Sequence, residues 1–414
     1  MKIIFASKFY YHRAGLESYL FRTKALLERC GHSVIPFSTN YHQNYETEYS
    51  KYFCKYYELS ESGKSKNSFK DNILAIANMC FNIEAYRNMK RLIKETKPDI
   101  LQGFGITKHL SYSIFKAAKD LSIPTIMRLS DYALLCPNTS ALDGFEEICA
   151  DFACSKPNNL KILKKKCIHG SFTASLVGKF ESTCNMILKT YKKNIDCFIS
   201  PSKFLREVFI KYYGLSPEKI IYLPVFLDCT NIQCSDTDEG YFLFAGRMSR
   251  EKGIMTLLKA LNKGSKVPLI LAGRGPKEEE FKEYAYKHHL NTRFLGFQDF
   301  QNLQNLIKNC RAVILPSEWH ENSPNIVLEA YAYGKPVIGS YIGGIPELVS
   351  ENETGLTFQA GNADDLNEKI EYLHARPDIA KVMGKNAKVF LEKELNPEKH
   401  YQRLMEIYNI VAKY

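Results

Sequence analysis

Short apolar runs of strand length alternate along the chain with longer segments in which apolar residues recur at the helical period. Strands separated by helices must be joined by crossover connections, and this favours parallel sheets. In the first half of the chain the runs predict six strands, at 2–6, 33–37, 100–102, 125–129, 197–200 and 220–223. The predicted helices between them include 16–29, 72–94, 110–119 and 174–191.

The same alternation restarts in the second half of the chain. Six further strands are predicted, at 241–245, 269–272, 293–295, 313–315, 336–339 and 355–358. Helix-period segments again separate them, and an amphipathic segment at 397–412 follows the last of these elements. The pattern therefore predicts an α/β protein built from two doubly wound parallel sheets in tandem.

A domain boundary is predicted where Pro224 and the polar run 235–240 interrupt the alternation. The expected domains are a Rossmann-like domain over 1–224, with a cysteine-containing insert at 136–170 and the C-terminal helix 397–414 packing back on it, and a second Rossmann-like domain over 225–396. Because open parallel sheets bind ligands beyond the carboxyl ends of their strands, function is expected on the loops that follow strands, in a cleft between the two domains.

Composition supports a large folded core. The chain has 414 residues, of which 45% are hydrophobic and 24% charged, which suits two or three globular domains. Its apolar runs fall far short of the ~20 residues that span a bilayer, so a transmembrane protein is excluded. The apolar run at the N-terminus is too short for a secretory signal. We therefore expect a cytoplasmic protein.

Positive charge is concentrated in one stretch. The net charge is +11, and residues 155–195 hold nine lysines with Glu181 as their one acid. Such an excess is typical of a surface that docks an anionic partner, although a simply solvated face gives the same composition. Within helix 174–191 one stripe is apolar: Leu176, Val177, Phe180, Ile187, Leu188 and Tyr191. We interpret the stripe as core packing with the lysines facing outward; the alternative is a helix lying on an anionic membrane surface.

The 12 cysteines indicate reduced thiols rather than a disulfide scaffold, because no export signal accompanies them. Four fall in the insert, separated by 12, 4 and 12 residues: Cys136, Cys149, Cys154 and Cys167. Four thiols in a loop-like segment predict a possible structural zinc site. Cysteine is also common in protein cores, and the spacing is looser than the usual zinc motif, so ordinary burial stays open as the alternative.

The strongest chemical signal follows the predicted strand 313–315. Ser323 is a suitable N-cap residue and Pro324 suits the first helical position, so we expect a helix to begin here. The free N–H groups of a helix N-terminus bind anions. Glu321 lies before this helix and Glu329 within it, which places two carboxylates around one pocket.

A second signal follows the predicted strand 241–245. Gly246 ends the strand, and Arg247 and Lys252 leave its carboxyl end. Guanidinium and ammonium groups at such a position are able to bind a pair of phosphates. The two segments together predict a site for a phosphorylated, hydroxyl-rich ligand on the second domain.

With these segments the sequence resembles the retaining glycosyltransferases of the GT-B fold called family 4, which include bacterial enzymes of surface-polysaccharide synthesis. The resemblance covers nearly the whole chain. Its carriers are the pair Glu321 and Glu329 in an E-x7-E pattern, the segment 246–253, and the run 334–339 that continues to 343–349. Weaker carriers are 272–276, 294–297 and 15–17.

The resemblance implies that the second domain binds a nucleotide-sugar donor, a UDP- or GDP-hexose, and that the first binds the acceptor. It implies that Arg247 and Lys252 bind the diphosphate, Glu321 the transferred sugar and Glu329 the ribose. The other implied donor-binding residues are Gly15, Gly246, Gly273, Gly296, Ser323, Asn325, Ile326 and Val327. In the mechanism proposed for such enzymes the donor's own phosphate accepts the acceptor proton, so neither an enzymic nucleophile nor a divalent metal is expected.

The implied acceptor is a saccharide, which we expect to be lipid-linked and to lie at the inner face of the plasma membrane. One position departs from the family pattern. Where many relatives have a His-Asp pair after the strand 125–129, this chain has Ser130 and Asp131. Asp131 is a candidate for orienting an acceptor hydroxyl, with a local helix cap as the alternative.

The same residues leave some other functions open and disfavour others. Another GT-B chemistry, such as a sugar-nucleotide epimerase or a sugar synthase, stays open, as does a non-catalytic nucleotide-binding scaffold, which Ser130 suggests. A nicotinamide dehydrogenase is disfavoured because the Gly-x-Gly pairs lack the third glycine. A nucleoside triphosphatase is disfavoured by the lack of a P-loop motif. Nucleic-acid binding is not expected, because no aromatic platform accompanies the lysines.

Overall fold

The computed structural model describes residues 1–58, 69–144, 147–149, 151–234 and 238–412. The side chains of residues 69, 70 and 72 are outside this description, and so are residues 235–237 of the polar run expected at the domain boundary. The chain divides into two compact units. The first comprises Met1–Leu223 together with the chain from Tyr401 onward, and the second comprises Pro224–His400.

The first unit is built on a parallel sheet of six strands, which lie in the order β2-β1-β5-β6-β7-β8. These strands are β1 (Lys2–Ser7), β2 (Ser33–Phe37), β5 (Ile100–Phe104), β6 (Thr125–Arg128), β7 (Cys197–Ser200) and β8 (Ile220–Tyr222). The short strands β3 (Thr39–Asn40) and β4 (Cys54–Lys55) pair beside it. Its helices are α1 (Gly15–Arg29), α2 (Phe69–Cys80), α3 (Ile83–Thr96), α4 (Ser113–Lys119), α5 (Lys161–Lys164), α6 (Phe172–Leu188), α7 (Thr190–Asn194) and α8 (Lys203–Val208).

The second unit repeats this plan with the strand order β11-β10-β9-β12-β13-β14, again all parallel. Its strands are β9 (Phe242–Ala245), β10 (Leu269–Ala272), β11 (Thr292–Gly296), β12 (Ala312–Leu315), β13 (Val337–Ser340) and β14 (Gly355–Phe358). Its helices are α9 (Ile254–Leu261), α10 (Glu278–Lys287), α11 (Phe300–Asn309), α12 (Asn325–Ala332), α13 (Ala363–Ala375) and α14 (Pro377–Glu394). Apolar residues of the strands and of α9, α13 and α14 form its core.

The final helix, α15 (Pro397–Ala412), spans the division between the units. Its first turn belongs to the second unit, where His400 Nδ1 lies 3.1 Å from the carbonyl oxygen of Pro224. From Tyr401 it belongs to the first unit, where the Tyr408 hydroxyl donates to Gln102 Oε1 at 2.5 Å. No helix within the described ranges is long and apolar enough to cross a membrane.

The two predicted parallel sheets are confirmed, with every predicted strand present to within two residues of its expected ends. The predicted helix 72–94 is wrong in one respect, because two helices replace it. Asn82 stands between α2 and α3 and caps the second of them, its side chain accepting a hydrogen bond from the N–H of Ala85 at 2.8 Å. Asparagine favours this N-cap role over a helix interior, so apolar periodicity alone did not reveal the break.

The expectation that the apolar stripe of α6 packs in the core is wrong. The buried residues of this helix are mostly polar: Ser175, Gly178, Lys179, Glu181 and Asn185. The stripe instead faces solvent, with Leu176, Phe180, Ile187 and Leu188 exposed, Val177 half-buried, and Tyr191 buried in the next helix, α7. Helical periodicity defines a face, but it does not say which side of the helix the rest of the chain covers.

Polar partners hold this reversed orientation. Glu181 accepts a hydrogen bond from Asn185 Nδ2 at 2.5 Å, and the Thr190 hydroxyl donates to Asn185 Oδ1 at 2.7 Å. Burial raises the pKa of the Glu181 carboxyl from 4.5 to about 7, although the nearby Lys108 ammonium and the Asn185 hydrogen bond act to lower it. Below pH 7 this carboxyl is therefore held largely as the neutral acid in the folded protein.

This raised pKa predicts a specific pH dependence of stability. The folded state keeps the Glu181 proton to higher pH than the unfolded chain does. The stabilisation of the folded state by this proton is therefore fully present below about pH 4.5 and is lost as pH rises through about 7. In Glu181→Gln the fall in unfolding free energy between pH 5 and pH 7 should be shallower, by at most about 1.4 kcal/mol per pH unit. Urea denaturation of both proteins across this interval measures the difference. The control Glu46→Gln removes an exposed carboxylate and should leave the slope unchanged; parallel profiles for Glu181→Gln would contradict the prediction.

Candidate functional site

The sheet of the second unit has a topological switch point between β9 and β12. From β9 the chain adds β10 and β11 on one side, and then returns to place β12, β13 and β14 on the other. Loops that leave the carboxyl ends of strands diverge at such a point, and this leaves room for a ligand between them. The two segments with the strongest chemical signals, 246–253 and 316–324, are the loops that follow these two strands.

Close backbone packing holds the two loops together. Gly253 has φ +69, and a Cβ atom at this residue would lie 1.8 Å from the carbonyl oxygen of Pro316. The N–H of Glu318 also donates to the carbonyl of Glu251 at 2.9 Å. Glycine is required at 253 both for its left-handed conformation and for this approach, which brings Lys252 beside the loop after β12.

Glu321 is the buried charge of this arrangement. The residue is 6% exposed, and its Oε1 accepts hydrogen bonds from Lys252 Nζ at 2.5 Å and from the Ser317 hydroxyl at 2.9 Å. The Lys252 ammonium also lies 5.3 Å from the centre of the Trp319 ring, at a distance suited to a cation–π interaction. A buried carboxylate requires such partners, because burial without compensation would be costly.

The loop after β13 supports the same residue from another side. Gly344 donates its N–H to the carbonyl oxygen of Glu321 at 2.6 Å. A Cβ atom on Gly343, which has φ +60, would lie 2.4 Å from that oxygen. The Ser340 hydroxyl donates to the carbonyl of Ser317 at 2.6 Å, so β13 also positions a partner of the Glu321 carboxylate. Three loops thus fix the position of one side chain.

Helix α12 begins one residue later than expected. Pro324 has the extended ψ of 118° and is the N-cap residue, so the helix starts at Asn325, and the predicted N-cap role of Ser323 is wrong. The cap makes no side-chain hydrogen bond, and the buried Ser323 hydroxyl has no partner among the described residues. Asn325, Ile326 and Val327 form the first turn, whose positive end is directed to the loop that carries Glu321.

The other expected donor-binding residues of this unit lie at the same edge of the sheet. Gly246 follows β9, Gly273 follows β10 and Gly296 ends β11. The N–H of Gly273 donates to the carbonyl of Gly296 at 2.7 Å, and that of Gly246 to the carbonyl of Ala272 at 3.0 Å. Arg247 is exposed and forms no ion pair with a described residue, whereas Glu329 is half-buried within α12.

Two of the expected site residues belong to the first unit. Gly15 is the first residue of α1, in the loop region that follows β1. Asp131 follows β6, and its Oδ1 accepts the N–H of Ala133 at 2.9 Å. This hydrogen bond closes a turn, and no helix begins between β6 and residue 144, so the alternative of a helix cap is wrong. Burial raises the pKa of the Asp131 carboxyl, and the Ala133 hydrogen bond and the charge of Lys108 act to lower it.

The four cysteines of the insert converge. Cys136, Cys149, Cys154 and Cys167 are buried, form no disulfide, and line one small enclosed cavity. Burial raises the pKa of all four thiols, to about 12 for Cys136 and about 11 for Cys154. In the described part of the chain, however, no three His, Cys, Asp or Glu side chains are arranged as a metal-binding group.

The second unit coincides with a known family. Residues 231–390 match the model of the family described as glycosyl transferases group 1. The second unit is therefore similar to glycosyl transferases group 1 over these residues. An uncharacterized glycosyltransferase of Methanocaldococcus jannaschii is 26% identical over 57% of this chain and 65% of its own length. The D-rhamnosyltransferase WbpZ of Pseudomonas aeruginosa is 34% identical over 36% of this chain and 39% of its own length. The chain therefore spans about two fifths to two thirds of these relatives.

The architecture of the chain is that of the GT-B fold. The Anabaena protein HepE, solved in complex with UDP-glucose, superposes with a TM-score of 0.67 at 17% identity and covers 99% of both chains. At this identity the likeness shows the fold alone. It agrees with two units that each contain a six-stranded parallel sheet.

Several residues of the candidate site were not expected from the sequence. Ser317 and Ser340 connect β12 and β13 to the Glu321 carboxylate. The Trp319 ring also lies against Lys252. A serine after a strand carries no distinctive signal, because its role depends on contacts with a strand that is distant in sequence. The adjacent glycines at 343 and 344 were part of the family pattern, but their contact with Glu321 was not predicted.

The Lys252–Glu321 pair predicts an asymmetric stability effect. Lys252→Met keeps the aliphatic part of the side chain but leaves the buried Glu321 carboxylate with only Ser317 as a partner. We expect this variant to lose about 1–3 kcal/mol of unfolding free energy. Adding Glu321→Gln should restore part of the loss, so that the double variant is more stable than the sum of the single changes predicts.

Urea denaturation of the parent protein, the two single variants and the double variant measures these free energies as a double-mutant cycle. The matched control is Lys259→Met, which removes an exposed lysine of the neighbouring helix α9 and should cost less than ~0.5 kcal/mol. Equal losses for Lys252→Met and Lys259→Met would show that the pair does not compensate a buried charge.

Proposed function

We propose that this protein transfers a hexose from a nucleotide-sugar donor to a saccharide acceptor with retention of the anomeric configuration. The observation that carries the proposal is the buried Glu321, paired with Lys252 at the switch point of the second sheet, next to the N-terminus of α12. A carboxylate beside an ammonium group and a helix N-terminus suits a ligand that combines sugar hydroxyls with phosphates.

The roles follow from where charge develops during the reaction. As the glycosidic bond breaks, the departing nucleoside diphosphate gains negative charge, which cations already in place stabilise. Arg247 is an exposed cation at this edge, and the first turn of α12 adds the N–H groups of Asn325, Ile326 and Val327. Lys252 is shared between Glu321 and the diphosphate. We therefore propose that the reaction requires no divalent metal.

Two carboxylates receive different roles in this proposal. Glu321 binds hydroxyls of the transferred sugar. Glu329, which lies about 6 Å along α12 from its first residue Asn325 by helical rise, binds the ribose. The donor residues Gly246, Gly273 and Gly296 line the edge where backbone lies close to the ligand. The relatives support this donor class: HepE was solved with UDP-glucose, and WbpZ is described as a rhamnosyltransferase.

The acceptor is assigned to the first unit, the proposed domain 1–224 with helix 397–414. Asp131 is the candidate for orienting the acceptor hydroxyl, and Gly15 allows backbone approach to the diphosphate. We propose a saccharide acceptor, lipid-linked and located at the inner face of the plasma membrane, within surface-polysaccharide synthesis. A cytoplasmic protein that meets the membrane at its surface is the corresponding location.

Donor binding and turnover test this function. A thermal-shift panel of UDP, GDP and ADP should identify one nucleotide that raises the melting temperature. With the matching sugar nucleotide, Arg247→Ala should lower kcat/KM by about 100-fold or more, because it removes a cation that acts on the departing diphosphate. Activity in EDTA should equal activity in added magnesium. The anomeric configuration of the product, read by NMR, separates retention from inversion.

The variant Glu321→Gln sharpens the test. It frees Lys252 from its carboxylate, so we expect the nucleoside diphosphate to bind several-fold tighter while turnover falls by about 100-fold. The control is Arg250→Ala, which removes an exposed arginine from the same loop. Donor consumption that persists unchanged in Arg247→Ala and Glu321→Gln would remove the assignment, and donor consumption without acceptor-linked product would favour an epimerase.

The structural zinc site in the cysteine-containing insert stays a prediction, and it is separate from the transfer reaction. It is supported by the shared cavity of Cys136, Cys149, Cys154 and Cys167, and by the N–H groups of Asn138 and Ala141 that favour a thiolate at Cys136. The sulfur atoms would have to move together to bind an ion, since they do not already form a metal-binding group. Metal analysis of the purified protein should find about one zinc per chain, lost in Cys154→Ser. The absence of zinc from freshly purified protein would remove the prediction.

A further inference from the structure

The outer face of α6 is apolar along its whole length. Five large side chains project from it into solvent: Phe172, Leu176, Phe180, Ile187 and Leu188. Two of them, Phe180 and Ile187, are 58% and 65% exposed. At a rise of 1.5 Å per residue the stripe is about 24 Å long. Large apolar patches are rare on proteins that remain free in solution, and they mark surfaces that contact something else.

The neighbouring helix extends this apolar surface. α2 packs against α6, and their contact includes Cys80 and Cys184. Ile73, Leu74 and Ile76 of α2 are exposed, whereas Ala75 and Met79 turn inward. We call the exposed apolar residues of α2 and α6 the α2–α6 face.

Buried polar contacts prevent α6 from rotating about its axis to bury its apolar face. If the helix rotated to bury Phe180 and Leu176, it would carry Glu181 and Asn185 into solvent and break their contacts with each other and with Thr190. Lys179 would likewise lose its hydrogen bond to the carbonyl of Lys156, which is 3.3 Å long. The polar interior therefore keeps the apolar side chains outside even in the absence of a partner.

Lysines lie at both ends of the exposed stripe. Lys164 and Lys166 precede α6, and Lys189 and Lys193 follow it; all four are exposed and form no ion pair with a described acidic residue. Not every lysine of this stretch is available. Lys179 is buried, and Lys161 and Lys165 pair with Asp151 and Asp143. The lone acid of α6, Glu181, is also buried, so no acidic side chain of this helix lies on its outer face, and the exposed lysines lie at its two ends.

We propose that the α2–α6 face docks this protein on an anionic lipid bilayer, with α6 lying in the interface. An amphipathic helix with apolar side chains on one face and lysines beside them is suited to this position, because the side chains enter the acyl boundary while the ammonium groups reach anionic headgroups. A protein partner fits less well, since it would have to supply acidic side chains at both ends of the stripe to pair with these lysines, whereas an anionic lipid surface carries negative charge throughout. The proposal does not depend on the proposed transfer reaction.

Vesicle binding of the full chain tests the proposal without donor or acceptor. The chain should cosediment with vesicles of phosphatidylcholine and phosphatidylglycerol at low salt, and weakly with phosphatidylcholine alone. Phe180→Ser with Ile187→Ser should lower the binding constant by at least about tenfold. Lys189→Gln with Lys193→Gln should lower it by about tenfold at low salt and have little effect in about 0.5 M salt.

Matched controls distinguish binding by the α2–α6 face from non-specific binding by exposed apolar residues or lysines elsewhere on the protein. Val382→Ser with Val389→Ser removes exposed apolar residues from α14 of the second unit, and Lys259→Gln with Lys385→Gln removes two exposed lysines of that unit. Neither pair should change vesicle binding. Because all these side chains are exposed, each variant should keep the melting temperature of the parent protein.

A depth measurement gives a second readout. Phe180→Trp should be quenched by brominated acyl chains in anionic vesicles, whereas Val382→Trp should show only the quenching of the native Trp319 background. Equal binding by the parent and the Phe180→Ser, Ile187→Ser variant would overturn the proposal. A concentration-dependent dimer in sedimentation velocity that the same two changes abolish, with no vesicle binding, would overturn it in favour of a second copy of the chain.

Discussion

The second unit is organised by the need to compensate one buried negative charge. Glu321 lies at the carboxyl edge of the sheet with little access to water, and it is tolerated there because Lys252 and Ser317 both donate to it. Lys252 follows β9 and Ser317 follows β12, and Ser340 of β13 in turn holds Ser317. Three strand ends therefore contribute to the position of this carboxylate. A charge of this kind couples the loops more tightly than apolar packing would, because displacement of any one of them leaves a carboxylate without compensation. The resulting rigidity is what a site for a charged leaving group requires.

The same principle works in the opposite sense in the first unit. There, Glu181 and Asn185 satisfy each other in the interior, and so the apolar residues of α6 are left outside. A helix normally buries its apolar face because burial lowers its free energy, and the reverse arrangement persists only when the polar groups are well paired. The inverted helix and the buried carboxylate both show polar contacts deciding what an apolar pattern leaves undecided. They lie in different units and serve different proposed contacts, one with a lipid surface and the other with a nucleotide sugar.

The candidate site was predictable to the extent that it is local. The order of loop residues after β9 and β12 placed Arg247, Lys252, Glu321 and Glu329 on one domain, because parallel strands deliver their carboxyl ends to one edge. The supporting residues were not predictable in this way. Ser340 and Gly343 contact residues more than 20 positions away in sequence, and Ser317, although only four residues from Glu321, is held in place by Ser340. The start of α12 shifted past Ser323 because Pro324 adopts an extended ψ. The family resemblance supplied the roles of the matched residues, and it was silent on their neighbours.

The amino-acid sequence by itself determined the two parallel sheets, their strands and most of the helices, because strand-length apolar runs and helical periodicity are properties of short segments. It also determined which residues lie on loops beyond strand ends. Only the tertiary structure decided which face of α6 is inside, that Lys252 rather than Arg247 compensates Glu321, and that four distant cysteines share one cavity. These outcomes depend on pairing free energies between groups far apart in the chain, and a pattern of hydrophobic and polar positions contains no information about which distant partner a buried polar group will find.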